Sequence, residues 1–326
     1  MARPMASAHV EGHPAEVRQA EGRQVPPHAA RRTVPGASII GTKRIVPFLC
    51  TSPSVVVMLL WMVVPVVMTV WFSLLHYNLM DEGRRFIGLR NFVYLLTDPS
   101  LTDALLNTVS LVAGVLVASI VFGMLLALLI NQPMFGRPVV RLMVVAPFFV
   151  MPTVSALIWK NMLMNPVSGL FAWVAHQLGL PAFDWFADAP LVAVGIIVAW
   201  QWIPFATLIL LTALQSLDRE QMEAAEIDGA GSIILFRRVI MPHLARPVTI
   251  VILIETMFLL SVFAEILVTT GGGPGDESTN LPFLIYKTAL LDFDVGGASA
   301  GGLIAVVLAN IVAIFLVRTV ARSLDQ

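Results

Sequence analysis

Two glutamates, Glu255 and Glu265, interrupt a stretch from Pro247 to Gly275 that carries no other charge. A carboxylate in such surroundings is costly and turns toward a bundle interior, a wet cavity or a partner. Its chemistry there is to accept strong hydrogen bonds from neighbouring hydroxyl groups, or to relay protons. On one continuous helix the two would be separated by about 80°, so they need not share a site. Glu255, Leu259 and Val262 do share a face. The residues alone leave two readings of Glu255 open: a cavity-lining group, or one paired inside the bundle. Glu265 is expected nearer the outer interface and partly hydrated. In another uncharged stretch Trp200, Gln201, Trp202 and Phe205 fall at mid-depth. Aromatic side chains usually mark membrane interfaces, so this group reads either as a cavity wall or as packing.

Other chemistries find little support. Gly271 to Gly275 is glycine-rich, but no Lys-Ser/Thr follows, so it is not a phosphate loop. His9, His13 and His28 fit no metal-ligand spacing, and His76, His176 and His243 are isolated. The single cysteine, Cys50, excludes an intrachain disulfide framework and a cysteine zinc site. No nucleophile elbow, cofactor loop or basic stripe is present, so no metal, cofactor, enzyme activity or nucleic-acid partner is expected.

The elements that position these residues follow from composition. Of 326 residues, 57% are hydrophobic and only 13% charged, against about one half and one quarter in soluble domains. Lipid is the expected solvent, and in lipid these segments must be helices. A span needs roughly 20 apolar residues. The gaps between charges predict six spans, at about 53–75, 104–130, 140–162, 190–214, 248–270 and 296–318, in an all-α integral membrane domain covering residues 45–326. With the first end inside, fifteen of the 20 Lys and Arg residues fall on inner segments, which predicts both termini in the cytoplasm. Residues 1–44 are polar, without apolar period, and read as a disordered cytoplasmic tail with no secretory signal. Pro65, Pro147, Pro152 and Pro204 lie within spans, where bundle packing and a flexing pathway both account for them.

The longest inner loop, 218–246, has the signs of a helix–turn–helix. Asp218 can cap a helix start, with Gln221 at the capping-box position. Helix formers run from Glu220 to Glu226, Asp228-Gly229-Ala230-Gly231 breaks the helix, and a second one runs from about Ser232 to near Met241-Pro242.

Here Glu223-Ala224-Ala225, three residues, Gly229, and then Val239-Ile240-Met241-Pro242 resemble the EAA loop of permease subunits of bacterial ATP-binding-cassette importers; Asp228 and Phe236 also fit. Thr270-Gly271-Gly272-Gly273-Pro274, with Ser278-Thr279 and Tyr286, resembles the maltose-type carbohydrate-uptake branch. Phe293 to Gly302 is similar to sorbitol and mannitol permeases. The resemblance spans roughly residues 45–322, with the core transmembrane region at about 104–318. It implies a multi-pass protein of the cell inner membrane that imports a small carbohydrate, a sugar alcohol such as sorbitol or mannitol, by alternating access. It further implies a second permease subunit, an ATPase dimer and a periplasmic or lipid-anchored solute-binding protein. Glu223, Ala224, Ala225, Asp228, Gly229 and Pro242 would dock the loop on the ATPase, as a short amphipathic helix laid in a groove. Trp200, Gln201, Phe205, Glu255, Leu259 and Val262 would line the substrate pathway. The alternative is an ion-coupled secondary transporter using Glu255 and Glu265, which would leave the loop without a purpose.

Overall fold

The computed structural model describes residues 42–324, so the tail expected at 1–44 lies almost wholly outside the described residues. The chain divides into residues 1–58 and 59–326; of the first unit, residues 42–58 are described, and they are helical.

In chain order the elements are α1 (Thr42–Ser73), the strands β1 (Leu75–His76) and β2 (Arg85–Phe86), α2 (Arg90–Thr97), α3 (Pro99–Asn131), α4 (Arg137–Val145), α5 (Pro152–Ile158), α6 (Leu170–Gln177), α7 (Trp185–Asp188), α8 (Pro190–Gln215), α9 (Arg219–Ile227), α10 (Ser232–Leu235), α11 (Met241–Leu259), α12 (Ala264–Thr269), α13 (Leu281–Tyr286) and α14 (Val295–Leu324). The two strands pair antiparallel, Leu75 opposite Phe86. Among the described residues, five helical runs are long and apolar enough to cross a membrane: Thr51–Ser73, Pro99–Asn131, Pro190–Gln215, Ser232–Leu259 and Val295–Arg318.

The expected span at 140–162 is instead a broken pair. Arg137–Phe149 and Pro152–Leu163 meet at a bend of 103°. Proline explains the position of the break: Pro152 offers no N–H and disfavours a helical residue before it, and Met151 is extended there (φ −59°, ψ 138°). Counted as one crossing, this pair brings the total to six.

The expected span at 248–270 also needs correction. Its helix ends at Leu259, and α12 starts only at Ala264 after Phe263 leaves helical geometry (φ −147°). The 80° separation of Glu255 and Glu265 therefore does not apply. At the other end, Pro242 does not stop the preceding helix. A π segment, Phe236–Ile240, joins α10 to α11, and Pro242 lies in the first turn of α11.

The core is built on α3 and α8, which run parallel. Leu111 meets Gly195 near one end, and Gly123 meets Ala206 near the other. A Cβ on Gly123 would stand 2.8 Å from the Cβ of Ala206 and 3.2 Å from the amide nitrogen of Thr207. Only glycine lets the two backbones approach this closely, which is how helices pack where lipid supplies no hydrophobic drive. Helix α11 lies against both. Two apolar clusters result. One joins Leu111, Val115, Val194, Val198, Leu259, Val262 and Ile266. The other joins Met124, Ala127, Ile130, Leu210, Leu214 and Leu244 toward the α9 end. In contrast, Leu60, Trp61 and Met62 of α1 are exposed, as a lipid-facing helix requires.

Candidate functional site

The α9–α10 segment forms at one end of the bundle. The Asp218 carboxylate accepts from the N–H of Glu220 at 3.0 Å, fixing the start of α9. Gly229, at φ +81°, turns the chain after Ile227, and the N–H of Ala230 donates to the Ala225 carbonyl at 3.0 Å. This is the five-residue closure of a glycine C-cap; a residue with a Cβ would be strained at that φ. Glu223, Ala224 and Ala225 lie in α9, and of the three only Ala225 has a described side chain. Asp228 is exposed. Ile227 and Ile233, on either side of the turn, are 86% and 82% exposed. His243 ties this end to α8, its Nε2 lying 2.9 Å from the Ala213 carbonyl.

Glu255 lies in the layer between the two apolar clusters, one turn from Leu259. It is fully buried, and neither carboxyl oxygen has a hydrogen-bond partner. The Ser119 hydroxyl of α3, also fully buried, faces it without reaching hydrogen-bond geometry. Leu259 and Val262 belong to the packed interior. Gln201 is buried and donates through Nε2 to the Val150 carbonyl at 3.1 Å, meeting the backbone where the broken pair bends. Trp200 packs edge-on against Trp159, ring centres 5.9 Å apart, and borders a cavity of about 400 Å³ with Pro147 and Pro204. Phe205 stacks on Phe148 at 5.7 Å. Trp202 touches both rings and reaches the exposed Phe258 at 5.3 Å. The six expected pathway residues thus occupy three surroundings, not one cavity: the buried α3–α8–α11 layer, the bend, and a half-exposed aromatic patch. Glu265, expected to be partly hydrated, is 5% exposed, because α12 packs against α5 and α8.

A polar network at the opposite end could not be read from residue spacing. Ser278, Thr279 and Asn280 are at most 1% exposed. Asn280 donates to the Val262 carbonyl at 2.6 Å and accepts from the Phe283 N–H at 3.0 Å. Asn107 of α3 donates to the carbonyls of Asp276 and Thr279 at 3.1 and 3.0 Å. Lys287 lies 2.8 Å from Asp276; its hydrogen bond holds the Asp276 carboxyl below the usual carboxylate range against the opposing effect of burial. Lys160 reaches across from the broken pair to the carbonyls of Val268 and Thr269 at 3.1 and 2.6 Å, a cation at the C-terminal end of α12. Asp276, Ser278, Thr279 and Asn280 lie in one polar run that reads as an ordinary loop, so only the tertiary partners reveal the network.

No group of three or more metal-ligating side chains occurs among the described residues.

Residues 111–326 match the model of the family described as binding-protein-dependent transport system inner membrane component. The chain is 34% identical over 255 residues to a probable ABC transporter permease protein of Sinorhizobium fredii, covering 77% of this chain and 82% of that one. It is equally identical, over the same length, to the trehalose/maltose transport system permease protein of Thermococcus litoralis, covering 86% of the latter. Among solved structures, a bacterial ABC transporter involved in the import of the acidic polysaccharide alginate shares the fold, with a TM-score of 0.72, 20% identity and coverage of 86% of this chain and 96% of that one. The chain belongs to the inner membrane components of binding-protein-dependent transport systems, the multi-pass permease subunits of ABC importers that have no ATPase site of their own.

Proposed function

We propose that this permease carries a small carbohydrate inward, a sugar alcohol such as sorbitol or mannitol, as one half of a pathway driven by a separate ATPase dimer. A second permease chain completes the pathway and an extracytoplasmic solute-binding protein delivers the cargo. The observation that carries the reading is the α9–α10 turn, with Ile227 and Ile233 exposed on either side of Gly229. Apolar side chains so placed on a short capped helix suit the groove of a partner. Glu223, Ala224, Ala225, Asp228 and Gly229 form the docking segment, Pro242 anchors its return to the bundle, and both termini lie with it in the cytoplasm. The family membership, the carbohydrate transport named for the Thermococcus relative and the Phe293–Gly302 sequence support the cargo class.

The pathway runs along the α8–α11 side. Phe205, Trp202 and Phe148 offer aromatic faces for the C–H surface of the cargo, with Trp200 and Gln201 beside the bend. Glu255, between Leu259 and Val262 on one side and the second apolar cluster on the other, is reached when α11 parts from α3. Its carboxylate then accepts hydrogen bonds from neighbouring hydroxyl groups.

The test joins a cysteine at Ala225 to the ATPase encoded alongside this chain, and measures ATP-dependent uptake of labelled sorbitol, mannitol and maltose in proteoliposomes. Crosslinking that changes with nucleotide, and uptake of polyols in preference to maltose, are expected. Uptake without the ATPase would end the coupling proposal; preference for maltose would end the polyol assignment.

A further inference from the structure

The end of the bundle that carries α9 holds a second feature, a cavity of about 1070 Å³ walled by the ends of α3 and α8, the start of α4 and the α9–α10 segment. Two guanidinium groups one helical turn apart on α4 border it, Arg137 and Arg141. Both converge on Gln215: with the amide oxygen turned toward them, it accepts from Arg137 at 3.3 Å and from Arg141 at 2.8 Å.

The two arginines are not equivalent. Arg137 donates through Nε to the Ile130 carbonyl at 2.8 Å and reaches Asn131 at 3.4 Å, so it caps the C-terminal end of α3, where a cation is favourable. Arg141 uses one Nη on Gln215, while its Nε is buried without an acceptor. Among the described residues no carboxylate lies within 4.0 Å of either. Like charges one turn apart repel, and here they share a single neutral oxygen. The remaining Nη groups of the two guanidiniums bordering the cavity can each donate to an oxygen of one anion. A phosphate group, as monoester or diester, offers at least two oxygens to these donors, and two cations favour its negative charge. Gln132 and Ser232 add further hydrogen-bonding groups to the wall, and the cavity has room for the organic part as well.

We propose that this cavity binds a phosphate-bearing anion, held between the Arg137 and Arg141 guanidinium groups. The phosphate comes either from an anionic lipid headgroup or from a small phosphorylated solute. Met222, Ser232 and Phe236 form the wall supplied by α9 and the run that follows it, so a bound anion ties that segment to the ends of α3 and α8 and restrains its motion. The binding claim stands on this geometry alone and is independent of the coupling role and of the cargo.

The test uses the full chain in phosphatidylcholine nanodiscs, titrated with inorganic phosphate and with glucose 6-phosphate at constant ionic strength, with a parallel series containing phosphatidylglycerol. Melting temperature and native mass spectrometry are read for the wild type, Arg141→Gln and Arg141→Lys. A saturable rise in melting temperature with the soluble phosphates, lost in Arg141→Gln and weakened at least tenfold in Arg141→Lys, assigns a soluble ligand. A rise and a retained lipid adduct with phosphatidylglycerol alone, lost in the same variants, assigns a lipid. Equal responses in wild type and variants, or no response to any of the three, overturn the proposal. Should both variants fail to fold, the ³¹P line width of phosphate with the wild-type chain decides it: saturable broadening supports the site, and no broadening overturns it.

Discussion

Replacing Glu255 by Met should stabilise the folded chain. The carboxyl is fully buried with both oxygens unpartnered, and the facing Ser119 hydroxyl is unpartnered too. A buried polar group without a partner costs about 1–3 kcal/mol, and Met keeps a similar reach while adapting its shape to the site. The neighbours one turn away, Leu259 and Val251, are fully buried and apolar, so the thioether meets matching surroundings. In chains of 150–250 residues a change of 1 kcal/mol moves the melting temperature by about 2–4 °C. A rise of at least about 2 °C is therefore expected for Glu255→Met, followed by tryptophan fluorescence in detergent at a fixed heating rate. Ser119→Ala, which removes a buried unpartnered hydroxyl, should also stabilise the chain, and because the two side chains face each other the double variant should depart from the sum by about 0.5 kcal/mol or more. A fall of several degrees in Glu255→Met would refute this account of the layer. Transport measured on the same variant separates stability from use: a more stable but slower protein is expected if the carboxyl meets cargo after α11 parts from α3.

Gly123→Val should loosen the α3–α8 contact, since the added Cβ would stand 2.8 Å from that of Ala206; overpacking of this kind costs about 1–3 kcal/mol and lowers the melting temperature, with Gly123→Ala milder. Asn280→Ala removes the cap of α13 and strands the Val262 carbonyl, a loss of about 2–3 kcal/mol, read as a lower melting temperature and faster proteolysis within 270–280. The Asp276–Lys287 pair predicts a pH effect with a definite sign. Because the folded carboxyl is held below its ordinary value, its contribution is present above about pH 4 and is lost as pH falls through the lowered value. The protection factors of amides in the 270–280 loop, with the intrinsic pH dependence of exchange divided out, should thus be unchanged from pH 8 to 5 and fall only below about pH 4, whereas in Asp276→Asn that acid-side fall should disappear.

Much of this protein is set locally and could be read from the chain. Long uncharged runs must become helices where no water is available to the backbone, and the stretches 53–75, 104–130, 190–214 and 296–318 overlap the apolar helices Thr51–Ser73, Pro99–Asn131, Pro190–Gln215 and Val295–Arg318. The turn after α9 was equally legible, because Asp218 and Gly229 act on backbone groups within five residues of themselves. Hydropathy, however, states which solvent a residue prefers and not which residue it will meet. The 103° bend, the break after Leu259 and the passage of Pro242 into α11 depend on packing between segments. Glu265 became buried because α12 returned to the bundle. Asn107 finds its acceptors 169 and 172 residues away, and Arg141 meets Gln215 only when the ends of α4 and α8 come together. Contacts of that sequence separation carry no local signature, so it was the tertiary structure that decided which polar groups are satisfied and which, like Glu255 and the Nε of Arg141, are left waiting for a partner.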